Sequence, residues 1–426
     1  MLDLARLRED PEGLTQAIAR KGAHHVEAIP ALLASDARHR ESLRQLEQLR
    51  HQKRELSKAF AQGEPSAREA ARAQSKSLDA ELSQLEEKVK TLETEIRDLL
   101  LRIPNAPNPQ VPDGTDASGN VELRRHGLKP GFPFAPKPHW DLGETLGILD
   151  LARGTKIAGS GFPLYVGLGA RLERALINFM LDLHTKEHGY TEILPPFLAL
   201  RDTMVTTGQL PKFDIGNMYH LPQDDLFLIP TAEAPLTSLH RDEILDEETL
   251  PRRYTAFTPC FRREAGAAGK DTRGIQRVHQ FNKVELMTYA RPEESYEEHE
   301  RLTRHAETVL QRLGLHYRVV RVCTGDMGAS NALQNDIEVY APGMDRYLEV
   351  SSCSNFEDYQ ARRGAIRSRK GKEKPRFLHT LNGSGTATPR LFIALVETHQ
   401  QADGSILIPE PLRPYLGTDR IARCTS

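Results

Sequence analysis

The sequence is poor in cysteine and in long apolar runs, and each scarcity excludes a class of protein. Only four of its 426 residues are cysteine, and none has a second cysteine two residues away, so neither a disulfide framework nor a structural zinc site is expected. No run of about twenty apolar residues is present, which argues against a membrane span. Charged residues begin at Asp3 and recur through Asp10, leaving no apolar core for a signal peptide. We therefore expect a cytoplasmic protein with reduced thiols.

Net charge is also nearly absent. The 57 Lys and Arg residues are balanced by 59 Asp and Glu residues, for a formal net charge of -2, so no global positive field attracts nucleic acid. Any affinity for RNA must come from a local concentration of cations. A chain of this length accommodates about two or three domains of roughly 100–200 residues each.

An apolar heptad repeat dominates the N-terminal region. Apolar residues alternate steps of four and three, which is typical of a coiled-coil seam, at Leu78, Leu82, Leu85, Val89, Leu92, Ile96, Leu99 and Ile103. A similar rhythm runs from Leu46 to Phe60, and Gly63 and Pro65 between the two stretches favour a chain reversal. We predict that residues 1–104 form an antiparallel α-helical coiled-coil arm.

Cations concentrate in the outer half of the predicted arm. Seven Lys and Arg residues there outnumber three acids, Glu55, Glu64 and Glu69. Such a surplus suits contact with nucleic-acid phosphates, although mixed charges also occur on any solvated coiled coil. The candidate RNA contacts are Arg50, Lys53, Arg54, Lys58, Arg68, Arg72 and Lys76.

A second region begins after a stretch rich in proline and asparagine at residues 104–109. Residues 168–188 are typical of an amphipathic helix, and residues 317–322 and 336–340 are typical of strands. Strands separated by loops, rather than by regular crossover helices, favour an antiparallel sheet flanked by helices. We predict that residues 105–426 form one domain, and we place the chain in the α+β class.

Within this second region, one stretch combines charge, glycine and an aromatic residue. Phe261-Arg262-Arg263-Glu264 is typical of a strand, residues 266–274 of a glycine-bearing loop, and residues 278–285 of a returning strand. An Arg on such a strand can present its guanidinium to phosphate oxygens while a nearby carboxylate meets an amine. Phe281 offers a flat face on which a base can stack.

This stretch resembles motif 2 of the class II aminoacyl-tRNA synthetases, in its seryl form. Residues 189–192 are similar to motif 1, the dimer-interface element, and residues 381–390 to motif 3. Thr231-Ala232-Glu233 resembles the loop over the amino-acid pocket, and residues 323–328 and 349–355 resemble further strings of the family. The resemblance covers the whole chain and implies a class II synthetase catalytic domain behind the arm.

The resemblance implies a homodimeric enzyme that activates L-serine with ATP and Mg²⁺, releases pyrophosphate and forms seryl-adenylate. Serine would then pass to the 3′ end of tRNA(Ser), which the arm would bind; charging of tRNA(Sec) is left open. Two alternatives share the fold, a ligase that loads a carrier protein and a non-catalytic RNA-binding paralogue. The intact arm disfavours the first, and the presence of Arg262, Glu264, Glu349 and Arg390 disfavours the second.

The resemblance also implies roles for individual residues. The serine-binding residues would be Thr231, Ala232, Glu233, Glu285, Asn382 and Ser384. The ATP-binding residues would be Arg262, Arg263, Glu264, Val278, Phe281, Glu349, Val350, Ser351, Ser352 and Arg390, with Arg262 and Arg390 catalytic. Glu349 and Ser352 would hold Mg²⁺, with Glu338 as a candidate further carboxylate.

Three of these assignments have alternatives or a departure from the pattern. Thr231 is also suited to capping a helix, and Glu338 to an ordinary exposed strand position. Pro389 stands where the family usually has glycine before the motif 3 arginine. Proline fits the first turn of a helix, so a helix start is still predicted there.

Overall fold

The computed structural model of the chain describes residues 1–62, 65–211, 218–264 and 273–423, without the side chains of residues 59–71 and 73. The described chain divides into two units, Met1–Pro104 and Asn105–Ser426. The first unit contains four helices, α1 (Leu4–Glu9), α2 (Pro11–Ala19), α3 (Ile29–Gln62) and α4 (Pro65–Arg102). Among the described residues, no helix is both long enough and apolar enough to cross a bilayer.

Helices α3 and α4 form the predicted helical hairpin. Leu46 of α3 packs with Leu82 and Val89 of α4 in one buried cluster, which fixes the two helices side by side. Of the predicted seam in α4, Leu78, Leu82, Val89, Leu92, Ile96 and Ile103 are buried, and Leu85 and Leu99 are half-buried. Leu100, outside the predicted seam, is buried as well.

The second unit combines short and long elements. Its first half contains β1 (Val121–His126), α5 (His139–Leu146), α6 (Leu151–Ala158), α7 (Leu168–Lys186), β2 (Thr191–Glu192), β3 (Leu198–Leu200), α8 (Arg201–Thr207), β4 (His220–Leu221), β5 (Leu226–Leu228), α9 (Glu233–Ser238), β6 (Ile244–Asp246) and β7 (Arg252–Phe261). Its second half contains β8 (Gln280–Ala290), α10 (Ser295–Arg312), β9 (Tyr317–Arg321), β10 (Leu333–Ala341), β11 (Arg346–Asn355), α11 (Tyr359–Arg363), β12 (Arg367–Arg369), β13 (Arg376–Phe377), β14 (His379–Ala387), α12 (Thr388–Thr398), β15 (Ile406–Leu407), α13 (Arg413–Leu416) and β16 (Arg420–Ile421).

An eight-stranded sheet is the centre of this unit. Its strand order is β1-β9-β10-β11-β14-β8-β7-β2, and every pair is antiparallel except β2 with β7. The predicted antiparallel sheet with flanking helices is therefore confirmed, as is the α+β class. The predicted strands at 317–322 and 336–340 correspond to β9 and β10, and the predicted helix ends at Lys186 rather than His188.

Helices α7 and α10 cover one face of the sheet. A Cβ added at Gly383 of β14 would lie 2.3 Å from the side chain of Leu302 in α10, and one added at Gly385 would lie 2.8 Å from His184 in α7. Both positions require glycine because the helices pack directly against the strand backbone. Their neighbours Asn382 and Ser384 point to the opposite face, which is left open for a site.

The two strands of the motif 2 stretch are shorter than predicted. Strand β7 ends at Phe261, so Arg262 and Glu264 lie beyond the strand and not on it, and β8 begins only at Gln280. Glu264 has a φ of 47°, in the left-handed region that interrupts an extended strand. Residues 265–272 of the intervening loop lie outside the described residues.

Candidate active site

A cavity of about 670 Å³ lies over the open face of the sheet. Strands β8, β11 and β14 form its floor, and the segment after β7 and the first turn of α12 contribute to its wall. Of the predicted site residues, those that line it are Thr231, Glu233, Arg262, Glu264, Val278, Phe281, Glu349, Val350, Ser352, Asn382, Ser384 and Arg390. The structure thus brings residues from motifs 2 and 3, far apart in the chain, to one site.

Two β-bulges aim side chains into the cavity. In β11, Glu349 pairs with Glu338 while Ser351 pairs with Ile337, so Val350 is an extra residue. In β14, Gly385 is likewise extra between Ser384 and Thr386. Because an extra residue resets the alternation of faces, Glu349 and Ser352 face the same side although they are three positions apart.

A buried polar network forms one end of the cavity, centred on Glu285. The Thr231 hydroxyl donates to Glu285 Oε2 (2.8 Å) and Asn382 Nδ2 donates to Oε1 (3.1 Å). Lys283 Nζ donates to Thr231 Oγ1 (2.7 Å) and also contacts the Glu285 carboxylate. Ser384 is the register partner of Glu285 on the adjacent strand, so these two predicted serine-binding residues lie side by side.

The hydroxyl of Thr231 has no bonding capacity left. It donates to Glu285, accepts from Lys283, and accepts the backbone N–H of Glu233 at 3.2 Å. A hydroxyl offers one hydrogen and two lone pairs, so all three are used. The alternative capping role is partly realised, since the last bond lies at the start of α9.

Glu233 is a second carboxylate at this end, and it is half-buried. Desolvation, together with the charge of Glu285, raises the pKa of Glu233 to about 7. Gln360 Nε2 donates to Glu233 Oε1 at 2.7 Å, and the Thr380 hydroxyl in turn donates to Gln360 Oε1 at 2.8 Å. The Glu233 carboxylate at this end is suited to binding a cation.

Two arginines also line the cavity. The guanidinium of Arg262 lies 5.1 Å from the centre of the Phe281 ring, a cation–π contact. Arg390, in the first turn of α12, donates from Nη1 to the backbone carbonyl of Glu349 at 2.7 Å. Pro389 sits at the start of the same helix, so the predicted proline-led helix start is confirmed.

The carboxylate of Glu264 is paired within the chain. It contacts the guanidinium of Arg277, which also lines the cavity. The backbone of Val278 forms part of the same wall, and His279 N–H donates to the carbonyl of Gly161 at 2.9 Å. The returning end of the motif 2 loop is therefore held against the body of the domain.

Oxygen ligands for a hard cation lie near Glu349 and Ser352. Asp336 of β10 is the register partner of Ser352, and burial, with the charge of Glu349, raises the pKa of Asp336 well above its usual range. Glu338, the further carboxylate suggested by the sequence, instead accepts from Arg318 Nε at 2.6 Å. Both acids are therefore register partners of predicted metal ligands, but Glu338 is already paired with Arg318.

Four predicted site residues do not form the cavity wall. Glu285 is fully buried beneath it, Ala232 packs in a separate apolar cluster, and Ser351 donates to the carbonyl of Ser384 at 2.6 Å. The guanidinium of Arg263 lies 5.8 Å from the ring of Tyr219.

Sequence reasoning missed Lys283, Gln360 and Asp336. Lys283 alternates with Phe281 and Glu285 along β8 and shares their face, so period-two reading of the strand was a usable signal. Gln360 and Asp336 lie outside every predicted site stretch, and their proximity to Glu233 and Ser352 arises only from the fold. Among the described residues, no group of three or more His, Cys, Asp and Glu side chains is arranged to hold a metal ion.

Several of the predicted RNA-binding cations on the helical hairpin are paired with acidic side chains. Arg50 pairs with Glu86 at 2.8 Å, Lys53 contacts Asp79, and Lys58 pairs with Glu55 at 2.8 Å. Arg54, Arg72 and Lys76 are exposed, whereas the side chain of Arg68 lies outside the described residues. The cation surplus is smaller than the sequence count, because α4 supplies Asp79 and Glu86 across the hairpin.

Known proteins match this chain over its whole length. The family model described as the seryl-tRNA synthetase N-terminal domain matches residues 1–107, and the tRNA synthetase class II core domain (G, H, P, S and T) matches residues 219–399. A serine–tRNA ligase of Clostridium tetani is 51% identical over 98% of this chain and 99% of its own. One of Carboxydothermus hydrogenoformans is 50% identical over 99% of each chain.

A solved structure agrees with both relatives. The seryl-tRNA synthetase from Pyrococcus horikoshii complexed with ATP superimposes with a TM-score of 0.94 at 39% identity, covering 99% of this chain and 100% of that one. Full-length identity near one half and a matching structure confirm the family resemblance of the motifs. The chain belongs to the seryl-tRNA synthetases, the ATP-dependent serine–tRNA ligases of class II.

Proposed function

We propose that the cavity binds L-serine beside Glu233 and ATP beside Phe281 and Arg390, and joins them as seryl-adenylate. The observation that carries this proposal is that one cavity presents both carboxylates and arginines. Glu233 lines it above the buried Glu285, and Arg262 and Arg390 line it too. An α-amino acid brings an ammonium, and ATP brings phosphates, so both substrates would meet groups of opposite charge. The Pyrococcus horikoshii relative is complexed with ATP, which supports the second half of this assignment.

The ammonium of serine would lie against Glu233. Thr231 has no lone pair to offer while Lys283 occupies it, so the substrate ammonium either displaces Lys283 from Thr231 or bonds to Glu233 alone. Asn382 Oδ1 is buried without a hydrogen-bond partner among the described atoms, and it faces the same space. A donor on the substrate would satisfy it, which removes the cost of an unpaired buried acceptor.

The serine hydroxyl would be recognised by Glu285 and Ser384. Glu285 Oε2 already accepts from Thr231 and Lys283, whereas Oε1 has only the Asn382 contact and retains capacity for a further donor. Alanine would leave this oxygen without its partner, and threonine would bring a methyl group into a space bounded by strand backbone. Rejection of a substrate that lacks a required hydrogen-bonding group is the stronger of these two effects.

Adenylate formation would proceed by in-line displacement at the α-phosphorus. The serine carboxylate oxygen forms the new bond to phosphorus, and the bond to the pyrophosphate oxygen breaks. The nucleophile is already ionised, so the step requires no general base. Arg262 would stabilise charge on the α-phosphate and align the carboxylate, and Arg390 would hold the nucleotide from α12. The adenine base would stack on Phe281, which requires the Arg262 guanidinium to share or leave that ring.

Mg²⁺ is the metal that these residues fit. Glu349 and Ser352 offer hard oxygen ligands on one face of β11, with Asp336 beside them, and Mg²⁺ is typically held by one or two carboxylates together with substrate phosphates and water. When bound, Mg²⁺ would neutralise phosphate charge during the displacement. Glu349 also accepts a hydrogen bond from Arg390 through its backbone carbonyl. The same residue would therefore contact both Mg²⁺ and the arginine that holds the nucleotide.

The second step would transfer serine to tRNA(Ser), held by the helical hairpin. The 3′-hydroxyl of the terminal adenosine attacks the acyl carbonyl, and AMP leaves. Exposed Arg54, Arg72 and Lys76 would contact tRNA phosphates, consistent with shape recognition of RNA.

We also propose a cytoplasmic homodimer. Exposed apolar side chains follow the motif 1 strand, with Leu194 77% and Leu200 54% exposed, and such a patch is typical of an interface.

ATP–pyrophosphate exchange without tRNA tests the first step directly. We expect exchange that depends on Mg²⁺ and on serine, with threonine, alanine, glycine and cysteine far below it. Failure of serine to support exchange, in protein that binds ATP, would contradict the proposed assignment of the cavity. Aminoacylation of tRNA(Ser) and of tRNA(Sec) transcripts then identifies the acceptors.

A further inference from the structure

One buried carboxylate outside the cavity, that of Glu173, contacts two of the elements that line the cavity. Glu173 lies on α7 and is 6% exposed. Its Oε1 accepts from Asn282 Nδ2 at 2.9 Å and also contacts the hydroxyl of Thr388. Asn282 belongs to β8 and Thr388 begins α12, so a single oxygen contacts the elements that carry motif 2 and motif 3.

The two contacted residues are flanked by cavity-lining residues. Asn282 lies between Phe281 and Lys283, and Thr388 between Ala387 and Pro389, and all four neighbours line the cavity. Lys283 and Ala387 are the last register pair of β8 with β14. Beyond them the two strands no longer share ladder hydrogen bonds. The Thr388 hydroxyl lies 3.0 Å from the Asn282 carbonyl there, and the Glu173 carboxylate contacts both side chains.

Burying the Glu173 carboxylate costs stability, which a purely structural contact would not require. Glu173 Oε2 and the nearby Tyr165 hydroxyl are buried without a hydrogen-bond partner among the described atoms, and an unpaired buried polar group is destabilising. Burial raises the pKa of Glu173 to about 7. An apolar residue would avoid the cost of the unpaired carboxylate oxygen, so the carboxylate is better explained by what it holds.

We propose that Glu173 is a positioning residue for ATP, which fixes the spacing between Phe281 on β8 and Arg390 on α12. The bond to Asn282 holds the strand end that presents the stacking ring. The contact with Thr388 holds the helix start two residues before the arginine. Small displacements of groups that align a reacting substrate reduce rate strongly, by up to about a hundredfold per ångström. This inference rests on the proposal that ATP binds in the part of the cavity next to Phe281 and Arg390.

Glu173→Leu and Glu173→Gln, compared in ATP–pyrophosphate exchange, test the inference. Leucine removes the acceptor, and we expect the KM for ATP to rise about tenfold or more while the KM for serine stays within about twofold. Glutamine keeps a side-chain oxygen for Asn282 and Thr388 and should bring the KM for ATP back to within about threefold of the wild type. Thr388→Val removes both the Glu173 contact and the direct bond to the Asn282 carbonyl. Its KM for ATP should therefore rise at least as much as that of Glu173→Leu, which keeps the test valid if the leucine variant folds poorly.

Glu307→Gln serves as the stability-matched control. Glu307 is a buried carboxylate on α10 that pairs with Arg124, away from the cavity, so this change should lower the melting temperature without changing the KM for ATP. Equal changes in both KM values, tracking stability, would overturn the positioning role. An unchanged KM for ATP in both Glu173→Leu and Thr388→Val would overturn it as well. Wild-type protein without serine-dependent exchange would instead overturn the assignment of the cavity itself.

Discussion

The ammonium of Lys283 lies against the carboxylate of Glu285, two positions along the same strand and on the same face of it. Both groups are buried, and Lys283 also donates to Thr231. The pair places a buried cation against the carboxylate at the point where the serine hydroxyl is proposed to bind.

Replacing Lys283 with methionine should weaken serine binding and destabilise the domain. The change leaves Glu285 buried without its cation, and breaking a buried ion pair in this way typically costs about 3–5 kcal/mol. We expect the KM for serine in exchange assays to rise at least about tenfold, with a lower melting temperature. Lys186→Met is the matched control, since Lys186 forms an exposed ion pair with Asp182 that contributes little. A Lys283→Met protein with wild-type serine KM would contradict this role.

Serine affinity should increase with pH through about 7. The pKa of Glu233 is raised to about 7 by burial and by Glu285, so below that pH the group is neutral and offers no charge to the substrate ammonium. At saturating ATP, the KM for serine should fall about tenfold between about pH 6 and about pH 8. Glu233→Gln should bind serine weakly at every pH and lack this step. A flat wild-type profile would show that Glu233 does not meet the ammonium.

An acidic residue at position 194 should dissociate the proposed homodimer. Leu194 is 77% exposed directly after the motif 1 strand, and a charge buried at an interface is strongly unfavourable. We expect light scattering to report a dimer for the wild type and a monomer for Leu194→Asp. Leu407→Asp, a change at a less exposed leucine of β15, should remain dimeric. A monomeric wild-type protein would contradict the homodimer outright.

Charge reversal on the helical hairpin should separate the two reaction steps. Glutamate at Arg54, Arg72 and Lys76 together should raise the KM for tRNA and reduce the salt dependence of charging, since each lost phosphate contact lowers the slope by about 0.7–0.9. Exchange without tRNA should be unchanged. Lys88→Glu, an exposed position nearer the base of α4, is the control. Equal loss of exchange and charging in folded protein would contradict a tRNA-binding role for the hairpin.

Periodic patterns predicted the parts of the fold that repeat. The heptads gave α4 and its partner, although Leu85 and Leu99 are only half-buried. Short runs of residues typical of strands predicted β9 and β10. Strand ends were less predictable, because β7 stops at Phe261 through the left-handed backbone of Glu264, which residue type alone does not specify.

The site was predictable where its residues are adjacent in sequence and unpredictable where the fold assembles them. Arg262, Phe281 and Arg390 came from motif resemblance, and all three line the cavity. Gln360 reaches Glu233 across 127 positions, and Glu173 reaches Thr388 across 215. No local pattern carries such contacts, and the proximity of Asp336 to Ser352 is of the same kind.

The bulge at Val350 separates chain length from side-chain direction in β11. With Val350 present, Glu349 and Ser352 lie on one face as if they were two residues apart. Deleting Val350 would make them two residues apart in fact, so a regular strand would keep both side chains on the same face. For the direction of these two side chains, a single deletion in β11 should therefore be tolerated best at the bulge. The cost of that deletion would be lost packing, because Val350 is buried in the core.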